Sequence, residues 1–242
     1  MSPEDGKPAA APTPDPRELP DASAVRIGIL GGTGEQGRGL GRRLAMAGNQ
    51  VILGSRDAAR AQQIATEVVA SIEGGRAQVS GAANEACAQA SDVVIIAVPW
   101  EGHDALVNSM KDALSGKIVV DCVNPLGFDK QGAFALDVPE GSAAQQAAMA
   151  LEHSTVVGAF HHVSAVLLLD PLVDRIDTDV LVLGDDRHAT DLVQALASRI
   201  PGMRGVYGGR LRNCGQVEAM TANLISMNRR YKAHAGLRVT DV

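Results

Sequence analysis

Aromatic residues are nearly missing from this chain: one tryptophan, two tyrosines and three phenylalanines among 242 residues. A core must therefore be built from alanine, valine, leucine and isoleucine. Cysteine is scarce as well, with Cys87, Cys122 and Cys214 far apart, odd in number and never in a CxxC pair. That suggests neither a disulfide framework nor a zinc site, and points to reduced thiols in a cytoplasmic protein. There is no HExxH pattern, so no metal site is assigned. No apolar run approaches the roughly 20 residues that cross a bilayer, so no membrane span is expected. The opening MSPEDGKPAAAPTPDPRELPD lacks the charged-then-apolar order of a secretory signal and has almost no large apolar residues, which predicts a disordered tail over residues 1–22. Positive charge is in deficit, with a formal net charge of −6. This argues against nucleic acid or anionic lipid as a partner, while leaving room for a local basic pocket.

What the chain does have is alternation. From Val25 onward, short apolar runs alternate with helical patterns, the signature of βαβ units in a parallel sheet. Strands are expected at Val25–Leu30, Gln50–Leu53, Val93–Val98 and Lys117–Asp121, with a weaker one near Gln78–Val79. Apolar residues at three- and four-residue spacing predict helices over Gln36–Ala47, Ala58–Ile72 and His103–Leu114. The stretch 124–141 reads as an irregular loop, long enough to line a site. A short helix at Ala143–Leu151 and an apolar run at Val156–Ala159 follow. From His161 the expected elements are strands at 166–169 and 180–183, a helix over Ala189–Ile200, a glycine-rich turn and a last helix from Asn213 to about Lys232. Along that helix Val217, Met220, Leu224, Met227 and Tyr231 form one apolar seam, suited to its own domain or to a second subunit, with the former favoured. The resulting fold class is α/β: a Rossmann-type doubly wound parallel sheet over 23–158, with a smaller C-terminal α/β domain over 159–242.

In GILGGTGEQG, Gly32, Gly34 and Gly37 satisfy G-x-G-x-x-G directly after a strand and at the opening of a helix. Such glycines let the main chain approach a pyrophosphate, and the helix start stabilises its charge. The second strand ends in VILGSR, residues 51–56, where an NAD site would place a carboxylate on the ribose 2′-hydroxyl. Here Ser55 offers a hydroxyl and Arg56 a planar cationic fork, both matched to a 2′-phosphate. Arg60 lies four residues on, on the same side of the first helical turn, and Thr33 can add its hydroxyl. The expected cofactor is NADP.

Two further stretches stand where ligands bind in such sheets. AVPWEGH, 97–103, follows the fourth strand and should run along the nicotinamide half of the cofactor through Val98, Pro99 and Trp100; Trp100 is read either as a ligand contact or as a packing residue. GAFHHVSAV, 158–166, carries His161 and His162. On an extended segment they point to opposite faces, so they do not chelate one metal. One of them is either a donor facing the cleft or a structural histidine.

Taken in order, GGTGEQG, GSR with Arg60, VPWE, GAFHHVSA and the C-terminal NRRYKAHAG resemble the NADPH-dependent reductases of the deazaflavin coenzyme F420, the F420H2:NADP oxidoreductases. The resemblance covers nearly all of the chain from Val25. It implies that NADP(H) and F420, as co-substrate, meet in a cleft between two domains of a homodimer. By the same resemblance Thr33, Gly34, Glu35 and Gln36 lie along the pyrophosphate, and Ser55, Arg56 and Arg60 hold the 2′-phosphate. Val98 to Trp100 flank the nicotinamide, and His161, with main-chain groups near Val163 and Ala165, borders the deazaflavin. One position departs from it, since archaeal members carry proline where Ser164 stands. No catalytic acid or base is assigned. A deazaflavin exchanges a hydride as nicotinamide does, so the protein's task is to stack two rings with their reacting carbons roughly 3–3.5 Å apart in a water-poor cleft. The competing expectations are an NADPH-dependent imine or 2-hydroxyacid reductase, and a non-catalytic NADPH sensor.

Overall fold

The computed structural model describes residues 18–72 and 77–242. Most of the expected tail, residues 1–17, lies outside the described residues. Its last residues do not trail free: Leu19 and Ala22 pack against the core, so the packed chain begins before residue 23.

The strands are β1 (Ile27–Leu30), β2 (Val51–Ser55), β3 (Val79–Ala83), β4 (Val93–Ile96), β5 (Ile118–Asp121), β6 (Leu126–Asp129), β7 (Gly132–Ala135), β8 (Thr155–Gly158), β9 (Thr178–Gly184) and β10 (Met203–Gly209). The helices are α1 (Glu35–Met46), α2 (Ala58–Ala70), α3 (Asn84–Gln89), α4 (His103–Ser109), α5 (Lys111–Leu114), α6 (Ala143–Ala150), α7 (Ala165–Leu169), α8 (Arg187–Ser198) and α9 (Cys214–Tyr231). Eight strands form one sheet in the order β10-β9-β8-β5-β4-β1-β2-β3, and β6 and β7 form a separate hairpin. Neighbours in the large sheet run parallel except β8 and β9, which pair antiparallel. β1 and β4 are buried at every residue, which is why they read as unbroken apolar runs rather than alternating ones. Helices cover both faces. One core layer holds Leu40 and Leu44 of α1, Val68 of α2, Leu168 of α7 and Val193 of α8. The opposite layer holds Cys87 of α3, Val107 of α4, Leu114 of α5, Ala147 of α6 and Val217 of α9. Phe160 is the one aromatic among the largest fully buried side chains. The C-terminal strands β9 and β10 continue the same sheet, so the C-terminal α/β region shares a platform with the first. Among the described residues no helix is long and apolar enough to cross a membrane.

Several elements differ from the sequence expectation. The run at 166–169 is not a strand but most of helix α7. Four apolar residues cannot set a period by themselves, and here a distant side chain decides. The buried Arg43 of α1 donates to the carbonyls of Leu167 at 2.7 Å, Leu168 at 2.8 Å and Asp170 at 3.0 Å, which satisfies the open end of this short helix. The helix expected over His103–Leu114 breaks at Met110 into α4 and α5. The irregular loop 124–141 contains the β6–β7 hairpin. Helix α3 was not anticipated. The glycine-rich turn is instead largely β10, because its glycine marks close packing: a Cβ on Gly205 would lie 2.4 Å from Gln194 Cα of α8.

Candidate active site at the strand ends

At the carboxyl ends of β1, β4, β5 and β8, about the point where strand order reverses, lies a cavity of about 490 Å³. Open α/β sheets bind their ligands in this position. Its walls come from Gly34–Gln36 after β1, Ala97–Trp100 after β4, Cys122–Asn124 after β5 and His161–Ser164 after β8. Thr221, Leu224, Ile225 and Asn228 of α9 close it from the side, with Ala235 beyond that helix.

The first wall is a turn made of glycine for two different reasons. Gly31 has φ +81°, and a Cβ there would sit 2.4 Å from the Ala97 carbonyl oxygen. Gly34 has ordinary extended geometry, φ −77° and ψ 166°, and an added Cβ would meet only the Gly31 carbonyl at 3.3 Å. Its open side therefore faces ligand space. Gly34 caps α1 without a side-chain hydrogen bond, and its carbonyl accepts from Arg38 N at 2.9 Å. The amides of residues 35 to 37 have no intrahelical acceptor, which gives the helix start donors and a positive dipole end for an anion.

At the end of β2, Ser55 is half-buried while Arg56 and Arg60 are exposed. Asp57 is tied down as the cap of α2, its Oδ1 accepting from Arg60 N at 3.1 Å, while its own amide donates to Ser55 Oγ at 3.2 Å.

The far wall is rich in buried polar atoms. Phe160, with φ 63°, turns the chain after β8, and a non-glycine residue in that region marks a constrained site. The carbonyl of His161 accepts from Asn124 Nδ2 at 2.7 Å and Thr221 Oγ1 at 3.2 Å. Among the described residues, Asn124 Oδ1 and both ring nitrogens of His161 are buried without a hydrogen-bond partner. Burial pushes the His161 pKa down to about 4 against the pull of the Asp121 charge, so its ring is neutral, with one donor and one acceptor. Unsatisfied buried groups of this kind are costly unless a ligand completes them. His162 is committed to the scaffold, its Nε2 donating to the Asp179 carbonyl at 2.7 Å. Ser164 has φ −68°, the angle a proline ring would impose, so serine here keeps the backbone course that proline would set.

Behind the wall after β5 lies Glu218 of α9, whose carboxylate accepts from the amides of Ala143 at 2.9 Å and Ala144 at 3.2 Å at the start of α6. Burial pushes its pKa from the ordinary 4.5 up to about 7; the two amides and His103 pull the other way and Asp121 adds to the rise. Between those values the unfolded chain has released a proton that the folded chain still holds, so stability falls as pH rises across the window. Glu218→Gln should cancel that loss. Measured against wild type by thermal unfolding, the variant should gain about 2–3 kcal/mol between pH 5 and pH 8; a difference independent of pH would refute the assignment.

The structure brings Gly34, Glu35, Gln36, Val98, Pro99, Trp100, His161 and Val163 round one cavity. Thr33 adjoins it in the glycine turn. Ser55, Arg56 and Arg60 lie outside it, at the next strand end, and Ala165 opens α7 one residue past the wall. Sequence reasoning missed Asn124, Thr221 and Asn228. The last two sit on the helical stripe beside the apolar seam of α9, and a polar face reads as solvated until a cavity is found against it.

An F420-dependent NADP reductase of Methanothermobacter marburgensis is 39% identical over 223 residues, spanning 90% of this chain and 99% of that protein. The chain belongs to the F420-dependent NADP reductase family. A second reductase of this family, from Methanocaldococcus jannaschii, is 37% identical over 90% of this chain and 99% of its own length. The model of a family described as NADP oxidoreductase, coenzyme F420-dependent, matches residues 26–125. That match ends just past β5, so the walls built by residues 161–164 and α9 lie beyond it. A crystal structure of a putative F420-dependent NADP-reductase from an Arthrobacter species superposes with a TM-score of 0.75 over 90% of this chain and 100% of that one, at 24% identity. A pyrroline carboxylate reductase of Plasmodium falciparum shares the fold at a TM-score of 0.55 and 12% identity, covering 87% of this chain and 65% of its own. The likeness to the pyrroline carboxylate reductase is one of fold.

Proposed function

We propose that the cavity holds the nicotinamide of NADPH against the deazaflavin ring of coenzyme F420, and that the protein catalyses hydride transfer between them. The observation that carries this reading is a cavity at the strand-order switch, fed by the glycine turn and lined by Asn124, whose Oδ1 is buried without a partner among the described residues. When bound, the two rings supply the redox chemistry themselves. The protein's part is to bind, orient and exclude water. The amides of residues 35–37 and Gly34 receive the pyrophosphate, with Thr33 alongside. Ser55, Arg56 and Arg60 receive the 2′-phosphate. Val98, Pro99 and Trp100 form the wall beside the nicotinamide. Asn124 Oδ1 accepts a hydrogen bond from a ring or carboxamide N–H, and neutral His161 offers one donor and one acceptor next to it. Val163 and Ala165 border the second ring. No side chain is assigned as a catalytic acid or base.

The test is direct. Purified protein mixed with NADPH and oxidised F420 should bleach the deazaflavin's visible absorbance, and NADH should do so far more slowly. Persistent absorbance with saturable NADPH binding would replace the reading with that of a sensor.

The same reading extends to a homodimer in the cytoplasm. Val217 and Leu224 of the α9 seam are buried in their own subunit, but Met227 and Tyr231 are exposed. A second copy would cover this outer half. Three free, buried cysteines suit a reducing compartment. Sedimentation should give twice the 25.1 kDa chain mass, and a monomer would overturn the dimer.

A further inference from the structure

His103 lies outside the cavity wall and is wholly buried, yet it touches the supports of two walls at once. On one side the indole of Trp100 stacks on its ring, with centroids 5.5 Å apart and planes 28° apart. On the other, its Nε2 is 2.6 Å from Asp121 Oδ2. The second oxygen of Asp121 accepts from the amide of Val123 at 3.0 Å, the middle residue of the wall after β5. The remaining ring nitrogen, Nδ1, is 3.0 Å from Gln146 Oε1. The Gln146 amide is oriented by its other end, where Nε2 donates to Glu140 Oε2 at 3.4 Å. A carboxylate at one nitrogen and an amide oxygen at the other are both acceptors, an arrangement that favours the doubly protonated ring.

We propose that His103 is a positioning residue for hydride transfer: a buried cation that locks the wall after β4, through Trp100, to the wall after β5, through Asp121 and Val123. The role deepens the proposed reduction of F420 and rests on it. The geometry has a consistent electrostatic setting. Burial works against the charged ring, but the hydrogen bond and charge of Asp121, the Gln146 contact and the charge of Glu218 outweigh it, so the pKa is raised above the ordinary histidine value. The groups facing the ring are Asp121 from β5, Gln146 from α6 with Glu140 behind it, and Glu218 from α9. Loss of the charge leaves Asp121 buried without its counter-ion, and both walls lose their common anchor. The pyrophosphate and 2′-phosphate supports stand elsewhere, so affinity and ring placement should separate.

Trp100 is the only tryptophan in the chain, so its emission reports on the stack without any substrate. An imidazolium in contact with indole quenches it. Wild-type emission at pH 7 should be low and should rise as pH climbs through the His103 titration, and Asp121→Asn should move that rise to lower pH. His103→Gln should be brighter at pH 7 and lose the pH dependence. In turnover, counted per NADPH site by direct titration, His103→Gln should lower kcat by roughly a hundredfold, the scale of a misplaced reacting group, with KM for NADPH changed less than about threefold. Equal emission from wild type and His103→Gln at pH 7, or an unchanged kcat per site, overturns the proposal. A wild-type protein that binds NADPH but leaves F420 oxidised would instead defeat the functional reading, and the emission and titration arms would still judge the His103 lock.

Discussion

Arg56→Glu should raise KM for NADPH by about a hundredfold while changing KM for NADH by less than about threefold. The difference follows from what each dinucleotide presents at the end of β2. A 2′-phosphate facing Arg56 gains a charge-assisted, two-pronged contact, and a glutamate in that place both deletes the contact and repels the dianion. Once a bound dinucleotide buries the pair, removing one partner costs about 2–5 kcal/mol, and about 2.7 kcal/mol is a factor of a hundred. NADH carries a hydroxyl there, which a carboxylate can accept from. Asp57 does not already play that part, because it is spent on capping α2. Steady-state kinetics with both cofactors decide the matter, and equal weakening of the two would refute the assignment of Arg56. Arg60→Ala should act in the same direction with a smaller factor, since it removes a cation without adding repulsion.

The end of β2 also separates the parts of the proposed site that rest on local sequence from those that do not. Ser55, Arg56 and Arg60 are local: their meaning depends on a strand, a turn and one helical period, all of which are written in consecutive residues. The glycine turn and the segment 98–100 are legible for the same reason, and so was the parallel sheet, because doubly covered strands leave continuous Val/Ile runs. What escaped depends on residues far apart. Helix α7 owes its form to Arg43, more than a hundred positions away. β10 hides behind a glycine, Gly205, whose purpose is visible only once α8 is laid on it. The carbonyl of His161 is held by Asn124 and Thr221, from a loop and a helix that no spacing rule connects. His103 looked like the first residue of a helix. Its role appears only when β5 and α6 bring a carboxylate and an amide to opposite edges of its ring.

Gly31 and Gly34 should separate folding from binding within one turn. Gly31→Ala forces a Cβ into the left-handed region, at about 1–2 kcal/mol, and into the Ala97 carbonyl 2.4 Å away, where overpacking against main chain costs about 1–3 kcal/mol more. The sum, about 2–5 kcal/mol, should lower the melting temperature of the ligand-free protein by roughly 10 °C for a chain of this size. Because Ala97 and Val98 line the cavity, the same change should also weaken NADPH. Gly34→Val meets neither obstacle, since φ −77° and ψ 166° admit any residue and only the Gly31 carbonyl stands nearby, at 3.3 Å. Its melting temperature without ligand should fall by only about 2–4 °C, since valine is a poorer N-cap than glycine and its Cβ lies close to the Gly31 carbonyl. Its branched side chain nevertheless occupies the space above the amides of residues 35–37, where a pyrophosphate must come within hydrogen-bond reach. Losing that approach should cost NADPH affinity about a hundredfold, measured by titration of the folded variant. If Gly34→Val binds NADPH as wild type does, the dinucleotide does not cross this turn, and the placement of pyrophosphate and nicotinamide falls together.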